Sequence, residues 1–120
     1  EHSFIRTLMQ RLMDSHMGVL AMKTLADGRF FNKKIQRGNA IWDTNNPVVP
    51  GYINIEEALS FAWSMPISVL ITGAENPQLI REKVAMAKRF EQLTDKQRTA
   101  LIEKVEDLNN KKDVEYYKNV

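Results

Sequence analysis

Two stretches of the chain combine residue types and spacing suited to holding a ligand. The first is Ile67 to Phe90, ISVLITGAENPQLIREKVAMAKRF. It reads as an apolar strand, a turn at Gly73 and a helix that Asn76 caps and Pro77 opens. Such a helix start offers free N–H groups and the positive end of the helix dipole to a phosphate or carboxylate. Every strand–helix unit has a helix start, so the pattern alone equally describes an ordinary connection. The second stretch is Lys23-Thr24-Leu25-Ala26-Asp27-Gly28, directly after another apolar run. Parallel α/β folds bind ligands beyond the carboxyl ends of their strands, where this segment falls. Gly28 would let backbone approach a ligand and Lys23 would supply charge; an ordinary turn with a solvated lysine fits the same residues. Other chemistry lacks residues to carry it. With no cysteine there is no disulfide framework, thiolate cluster or thiol nucleophile. His2 and His16 lack metal-ligand spacing, so no metal site is expected. No Walker loop, GxSxG elbow, zinc signature or glycosylation sequon occurs.

The elements that must position these stretches follow from apolar periodicity. Ile5, Leu8, Met9, Leu12 and Met13 fall at helical spacing, predicting a helix over Ser3 to His16 with Ser3 as its cap. Gly18 to Met22 is short and wholly apolar, the pattern of a strand buried on both faces. Lys23 to Tyr52 shows no periodicity and predicts a long loop, spanning 24–52. Within it, Phe30, Phe31 and Trp42 are the aromatic residues that would line a pocket or anchor the loop to a rim. Asn54 caps a second helix in a capping-box arrangement with Glu57, and Ile55, Ala58, Leu59, Ala62 and Trp63 form its inward face until Pro66 ends it. Ile67 to Ile71, rich in β-branched residues, is the second strand. The third helix takes Ile80, Val84, Ala87 and Phe90 as its stripe. The fourth, capped by Thr94 with Gln97, takes Leu101, Ile102, Val105 and Leu108. A polar tail begins at Asn109.

The order is therefore α, β, long loop, α, β, α, α, which implies a small parallel sheet covered by helices. Composition agrees with a folded chain: 120 residues, 43% hydrophobic and 27% charged. No 18-residue apolar window exists for a membrane span. Charges are interspersed and sum to +2, which gives no sign of a nucleic-acid or membrane partner. Two strands, however, cannot bury themselves, and the pattern is that of part of a larger α/β structure.

At this point the residues carry a resemblance. GVLAMKTLADG, followed about forty residues later by EEALSFAWSMPISVLITGAENPQLIREKV, resembles the C-terminal part of an aldo/keto reductase, in particular the bacterial branch. The similarity runs from about Ser3 to Leu108, and LTDKQRTALIEKV also fits. It implies that residues 1–120 form a single C-terminal segment of a (β/α)8 TIM barrel, mostly helical with two short parallel strands that are the last two of the barrel. It also implies a nicotinamide cofactor, NADP or NAD. The loop after the first strand would run along the pyrophosphate, which maps onto Lys23, Thr24, Leu25 and Gly28. The turn and helix after the second strand would hold the adenosine side, which maps onto Gly73, Ala74, Glu75, Asn76, Gln78, Leu79, Glu82 and Lys83.

This sequence departs from the family pattern at several of these positions. Thr24 replaces the usual proline, and Ala26 and Asp27 replace glycines. Glu75 stands where a basic residue is common; a carboxylate would repel a 2′-phosphate and would accept a hydrogen bond from a ribose hydroxyl, which leaves NAD open. Lys83 replaces an asparagine, and Arg81 lies one turn into the helix. The family's catalytic Asp, Tyr, Lys and His lie on earlier strands, and nothing here matches them: Tyr52, Tyr116 and Tyr117 sit in the wrong context. No catalytic residue is therefore expected in the chain, and the chain alone is expected to be inactive.

The expected function is the cofactor-binding part of an oxidoreductase that reduces a small carbonyl substrate. The alternative is a non-catalytic α/β interaction module derived from a reductase. Two strands without barrel neighbours expose sheet edges and an apolar face, so the isolated chain is expected to self-associate. The expected compartment is the cytoplasm; a targeting peptide would precede Glu1, and the chain's start at Glu1 reads as the cut edge of a longer enzyme.

Overall fold

The structure, a computed structural model, describes residues 4–25, 34–36, 39–41, 52–74 and 76–106. In chain order the elements are α1 (Phe4–Thr7), α2 (Met9–Asp14), β1 (Leu20–Ala21), β2 (Lys34–Gln36), β3 (Asn39–Ile41), α3 (Ile55–Trp63), β4 (Val69–Leu70), α4 (Pro77–Lys88) and α5 (Asp95–Lys104). The arrangement is mixed α/β, mostly helical, with β1 and β4 as two short parallel strands. Ser3, Gly28, Phe30, Phe31, Trp42, Glu75, Leu108 and the tail from Asn109 lie outside the described residues.

The helices begin where the capping residues place them. At α3, Asn54 Oδ1 accepts from the Glu57 N–H at 2.8 Å while the Asn54 N–H donates to Glu57 Oε2 at 2.8 Å, a complete capping box. At α4, Asn76 Oδ1 accepts from the Leu79 N–H at 3.0 Å and Pro77 fills the first turn, where its missing N–H costs nothing. At α5, Thr94 and Gln97 exchange the same pair of bonds, at 3.3 Å and 2.9 Å. These are contacts between residues three apart, which fold locally without waiting for the rest of the molecule.

The N-terminal helix departs from expectation. It is broken at Leu8, whose φ of −119° interrupts the spiral and divides it into α1 and α2. Only Met9 of the proposed stripe is buried, while Ile5, Leu8 and Met13 are exposed, so little packing opposes the break. The end of α2 is well formed. The His16 N–H donates to the Met13 carbonyl and the Met17 N–H to the Leu12 carbonyl, both at 2.9 Å, with His16 at φ 54°. That is a Schellman stop with histidine in the left-handed position that glycine favours. His16→Gly should therefore raise stability by about 0.5–1 kcal/mol, read from urea midpoints at unchanged m-value.

The two parallel strands pair Leu20 with Val69 and Ala21 with Leu70. Ser68 Oγ accepts from the Val19 N–H at 3.1 Å at one end, and the Ile71 N–H reaches the Ala21 carbonyl at 2.8 Å at the other. The run Gly18 to Met22 was expected to be buried on both faces, and here the structure corrects the sequence. Val19 is buried and Leu70 packs on the core, but Leu20 and Met22 are 64% and 63% exposed, and Val69 and Ile71 also stand out in solvent. Side chains alternate along a strand, and among the described residues only one face of this pair meets the core. The loop expected over 24–52 is also corrected in part. Within it β2 and β3 pair antiparallel, Lys34 opposite Ile41, Ile35 opposite Ala40 and Gln36 opposite Asn39. Strands of three residues are too short for periodicity to announce.

The core gathers Leu25, Ile55 and Leu59, with Ala58, Trp63, Leu70 and Met86 packed against them. Trp63 thus lies where its helix stripe puts it, and its ring meets Phe90 with centroids 5.4 Å apart at 59°. The stripe of α4 is rotated by one residue from expectation. Ile80 and Val84 are exposed, while Leu79 and Lys83 are buried and Met86 faces the core. On α5, Leu101 and Val105 are half-buried and Ile102 is exposed.

Ser64 ties the C-terminal helices to α3. It is 2% exposed; its Oγ accepts from the Leu93 N–H at 2.9 Å, and its carbonyl accepts from Gln92 Nε2 and Arg98 Nη1 at 3.2 Å and 3.0 Å. Two ion pairs fasten the same helices from outside, Arg89–Glu56 at 2.6 Å and Lys104–Glu57 at 2.8 Å. Both are solvent-exposed pairs, worth little individually to stability.

Candidate functional site

The parallel register decides what lies together. Because β1 and β4 run the same way and Ala21 stands opposite Leu70, the residues that follow them emerge at one edge of the pair. Lys23, Thr24 and Leu25 follow β1, and Thr72, Gly73 and Ala74 follow β4 before α4 begins at Pro77. Both candidate stretches therefore share the carboxyl edge of the strands. Gly28 and Glu75, which the sequence reading also assigns to this site, lie outside the described residues.

The edge uses its residues unequally. Lys23 is exposed and holds φ 56°, a left-handed conformation that costs a non-glycine residue about 1–2 kcal/mol. Thr24 is half-buried. The Leu25 side chain belongs to the core with Ile55 and Leu59, which leaves only its backbone for a ligand. Gly73 is exposed, and a Cβ built there would meet no atom within 4 Å, so that side of the turn is open to an approaching group. Ala74 is half-buried.

The start of α4 has less to offer an anion than the bare pattern suggests. Pro77 brings no N–H, and Asn76 occupies the N–H of Leu79, so of the first three helical positions only the Gln78 amide remains for an acceptor. The Asn76 side chain is spent on its cap, and the Leu79 side chain is buried. Further along, Gln78 Nε2 donates to Glu82 Oε1 at 3.0 Å on the exposed side, with Arg81 also exposed.

Lys83 is the largest surprise. Sequence reasoning placed it among the cofactor contacts, but its side chain is turned inward at 8% exposure. Its ammonium donates to Thr72 Oγ1 at 3.1 Å and to the Gly73 carbonyl, both in the turn that leaves β4. Thr72 was missed altogether. The available signal was the spacing Leu79, Lys83, Met86, which puts a lysine in the middle of an apolar helix face where it needs acceptors.

A separate groove of about 400 Å³ runs between α3 and α5, lined by Glu56, Glu57, Ser60, Leu93, Gln97 and Lys104 among others. It shares no residue with the strand edge. Its carboxylates are tuned by their partners. The Arg89 guanidinium holds Glu56 below the usual carboxylate range and is itself raised by Glu56. Partial burial works to raise Glu57, but hydrogen bonds from Lys104 and the Asn54 backbone outweigh it, and the carboxyl titrates low. Both groups act as ion-pair partners between helices. Among the described residues no cluster of three His, Asp or Glu is placed to hold a metal, and no helix is long and apolar enough to cross a membrane.

No protein-family model matches the chain, and neither a curated protein nor a solved structure matches it.

Proposed function

We propose that the chain is the C-terminal, cofactor-binding part of an aldo/keto reductase-like oxidoreductase, supplying the last two strand–helix units of a (β/α)8 barrel. The observation that supports this most directly is the parallel register of β1 and β4, which brings Lys23–Leu25 and Thr72–Ala74 out at one carboxyl edge. That is the edge at which parallel α/β folds hold their ligands. The outward Leu20, Met22, Val69 and Ile71 support the same reading, since further barrel strands would continue the sheet and enclose that face.

A nicotinamide dinucleotide, when bound, supplies the hydride for carbonyl reduction. The chain's own groups that fit it are few but of the right kind: the exposed residue Lys23 for the pyrophosphate, and the open backbone of Gly73 and the remaining N–H of Gln78 for the adenosine side. Thr24, Ala74, Arg81 and Glu82 border them. The Leu25 and Leu79 side chains and the Lys83 ammonium shape the edge from behind. No residue of this chain is assigned to proton transfer, so the chain by itself is inactive, self-associates through its open sheet, and acts within a complete cytoplasmic enzyme on a small carbonyl compound.

The test is a titration of the isotopically labelled chain with NAD and with NADP. The amides of Lys23, Thr24, Gly73 and Gln78 should shift with at least one of them; no shift with either would overturn the reading. Cofactor preference rests on Glu75. Glu75→Arg replaces repulsion of a 2′-phosphate by attraction, each about 1 kcal/mol for charges in contact in water, so the NADP:NAD affinity ratio should rise about thirtyfold. An unchanged ratio would remove Glu75 from the site.

A further inference from the structure

We infer that Lys83 is a positioning residue: a buried clip from the middle of α4 that fixes the backbone of the turn after β4, and thereby the ligand-facing surface of the strand edge. The inference rests on the cofactor reading for its functional consequence but not for the clip itself.

Thr72 and Gly73 lie past the last paired residues of β4, Val69 and Leu70, so the strand pairing among the described residues ends before the Gly73 carbonyl. A carbonyl in that position is normally left to water, and the turn is then held only at its ends. Here the ammonium of Lys83, ten residues on, donates to that carbonyl and to Thr72 Oγ1 together. One cation therefore bonds two consecutive residues of the turn, one through its side chain and one through its backbone.

The placement of Lys83 has a visible consequence for the helix. Lys83 occupies the inward face of α4 between Leu79 and Met86, while the apolar Ile80 and Val84 stand exposed. Hydrophobic burial alone would favour rotating Ile80 and Val84 inward. The orientation seen brings Lys83 to the turn and fits the two hydrogen bonds as a reason for that choice. Charge-assisted bonds to backbone and hydroxyl oxygens are stronger than neutral ones. The lysine stem meanwhile covers apolar surface as a methionine would.

The surface that the clip fixes is the one left open to a ligand. Nothing lies within 4 Å of a Cβ at Gly73, and the Gln78 amide sits just beyond, at the second position of α4. A turn held from behind presents this backbone in one shape, so a ligand does not spend binding energy on ordering it. Lys83 therefore acts on affinity through Thr72 and Gly73 and not through its own contact with the ligand.

The experiment compares the full chain with Lys83→Met and Lys83→Arg, the first keeping the stem and removing the donors, the second restoring them. Two quantities are read: backbone order parameters of Gly73 and Ala74 without any ligand, and affinity for NAD and NADP. In Lys83→Met the order parameters should fall from roughly 0.85 to below about 0.6, with far-UV dichroism unchanged. Affinity for whichever dinucleotide binds should fall about fivefold or more, the loss expected for a site that must order its own turn, and Lys83→Arg should recover most of both. Unchanged order parameters in Lys83→Met would overturn the clip. Lower order with unchanged affinity would overturn the positioning role. Lower order in a chain whose wild type binds neither dinucleotide would support the clip and overturn the cofactor reading instead.

Discussion

Leu59→Ala should be the most damaging single truncation among the described residues, lowering stability by about 2–5 kcal/mol. Leu59 is 0% exposed and is the largest fully buried side chain, at the centre of the cluster with Leu25 and Ile55. Truncation removes its transfer free energy and leaves a cavity between elements that cannot close over it. α3 is pinned at its start by the Asn54–Glu57 capping box and at its end by the bonds to Ser64, so it has little freedom to settle inward. The core is small, which makes the loss a large share of a total that for ordinary domains is about 5–15 kcal/mol. The melting temperature should drop by roughly 10–25 °C, followed by circular dichroism at matched concentration. The same variant should disturb the strand edge, because Leu25, two residues after Lys23, loses its packing partner. A destabilisation below about 1 kcal/mol would show that this cluster is not the organising core.

What the sequence revealed, and what it hid, divides along the range of the interactions concerned. The starts of α3, α4 and α5 were legible because a cap is made by residues three apart, as with Asn54 and Glu57 or Thr94 and Gln97. The two strands and their parallel pairing were legible from short apolar runs separated by a helix. Their sidedness was not. An apolar run predicts burial on both faces only if both faces find neighbours, and Leu20 and Val69 face solvent because among the described residues only one face of the pair meets the core. The rotation of α4 was hidden for a related reason. Ile80 and Val84 are the better apolar residues, and only the fold shows that Thr72 and Gly73 stand within reach of Lys83. For the candidate site, the two stretches were found by their position after strands, and the structure brings them to one edge. The roles of individual side chains followed less well, since Leu25, Leu79 and Lys83 face inward and Asn76 is occupied by its own helix.

Ser64→Ala should cost about 1–3 kcal/mol while leaving the strand edge unchanged. A serine after a helix end is ordinarily an exposed and replaceable residue, but this one is buried at 2% exposure and its Oγ is the acceptor for the Leu93 N–H at 2.9 Å. Alanine removes the Oγ and puts no polar atom in its place, so the Leu93 N–H stays half-buried without a partner, the costly form of a lost hydrogen bond. The backbone carbonyl of residue 64 survives the change and keeps its bonds from Gln92 and Arg98, which should hold the helices in register. The effect is thus confined to the link between α4 and α5, and amide exchange should rise at Leu93 first. Gln92→Ala offers the comparison: it deletes a donor whose acceptor retains Arg98, so its cost should be the smaller of the two. Ser64→Ala also serves as the converse of Lys83→Met. A serine that ties helices together should lower the melting temperature without altering the order of Gly73 and Ala74. A lysine that holds the turn should do the reverse. If Ser64→Ala instead loosened Gly73, the turn would be responding to global stability, and the separation between scaffold and site argued from the hydrogen bonds of Ser64 and Lys83 would fail.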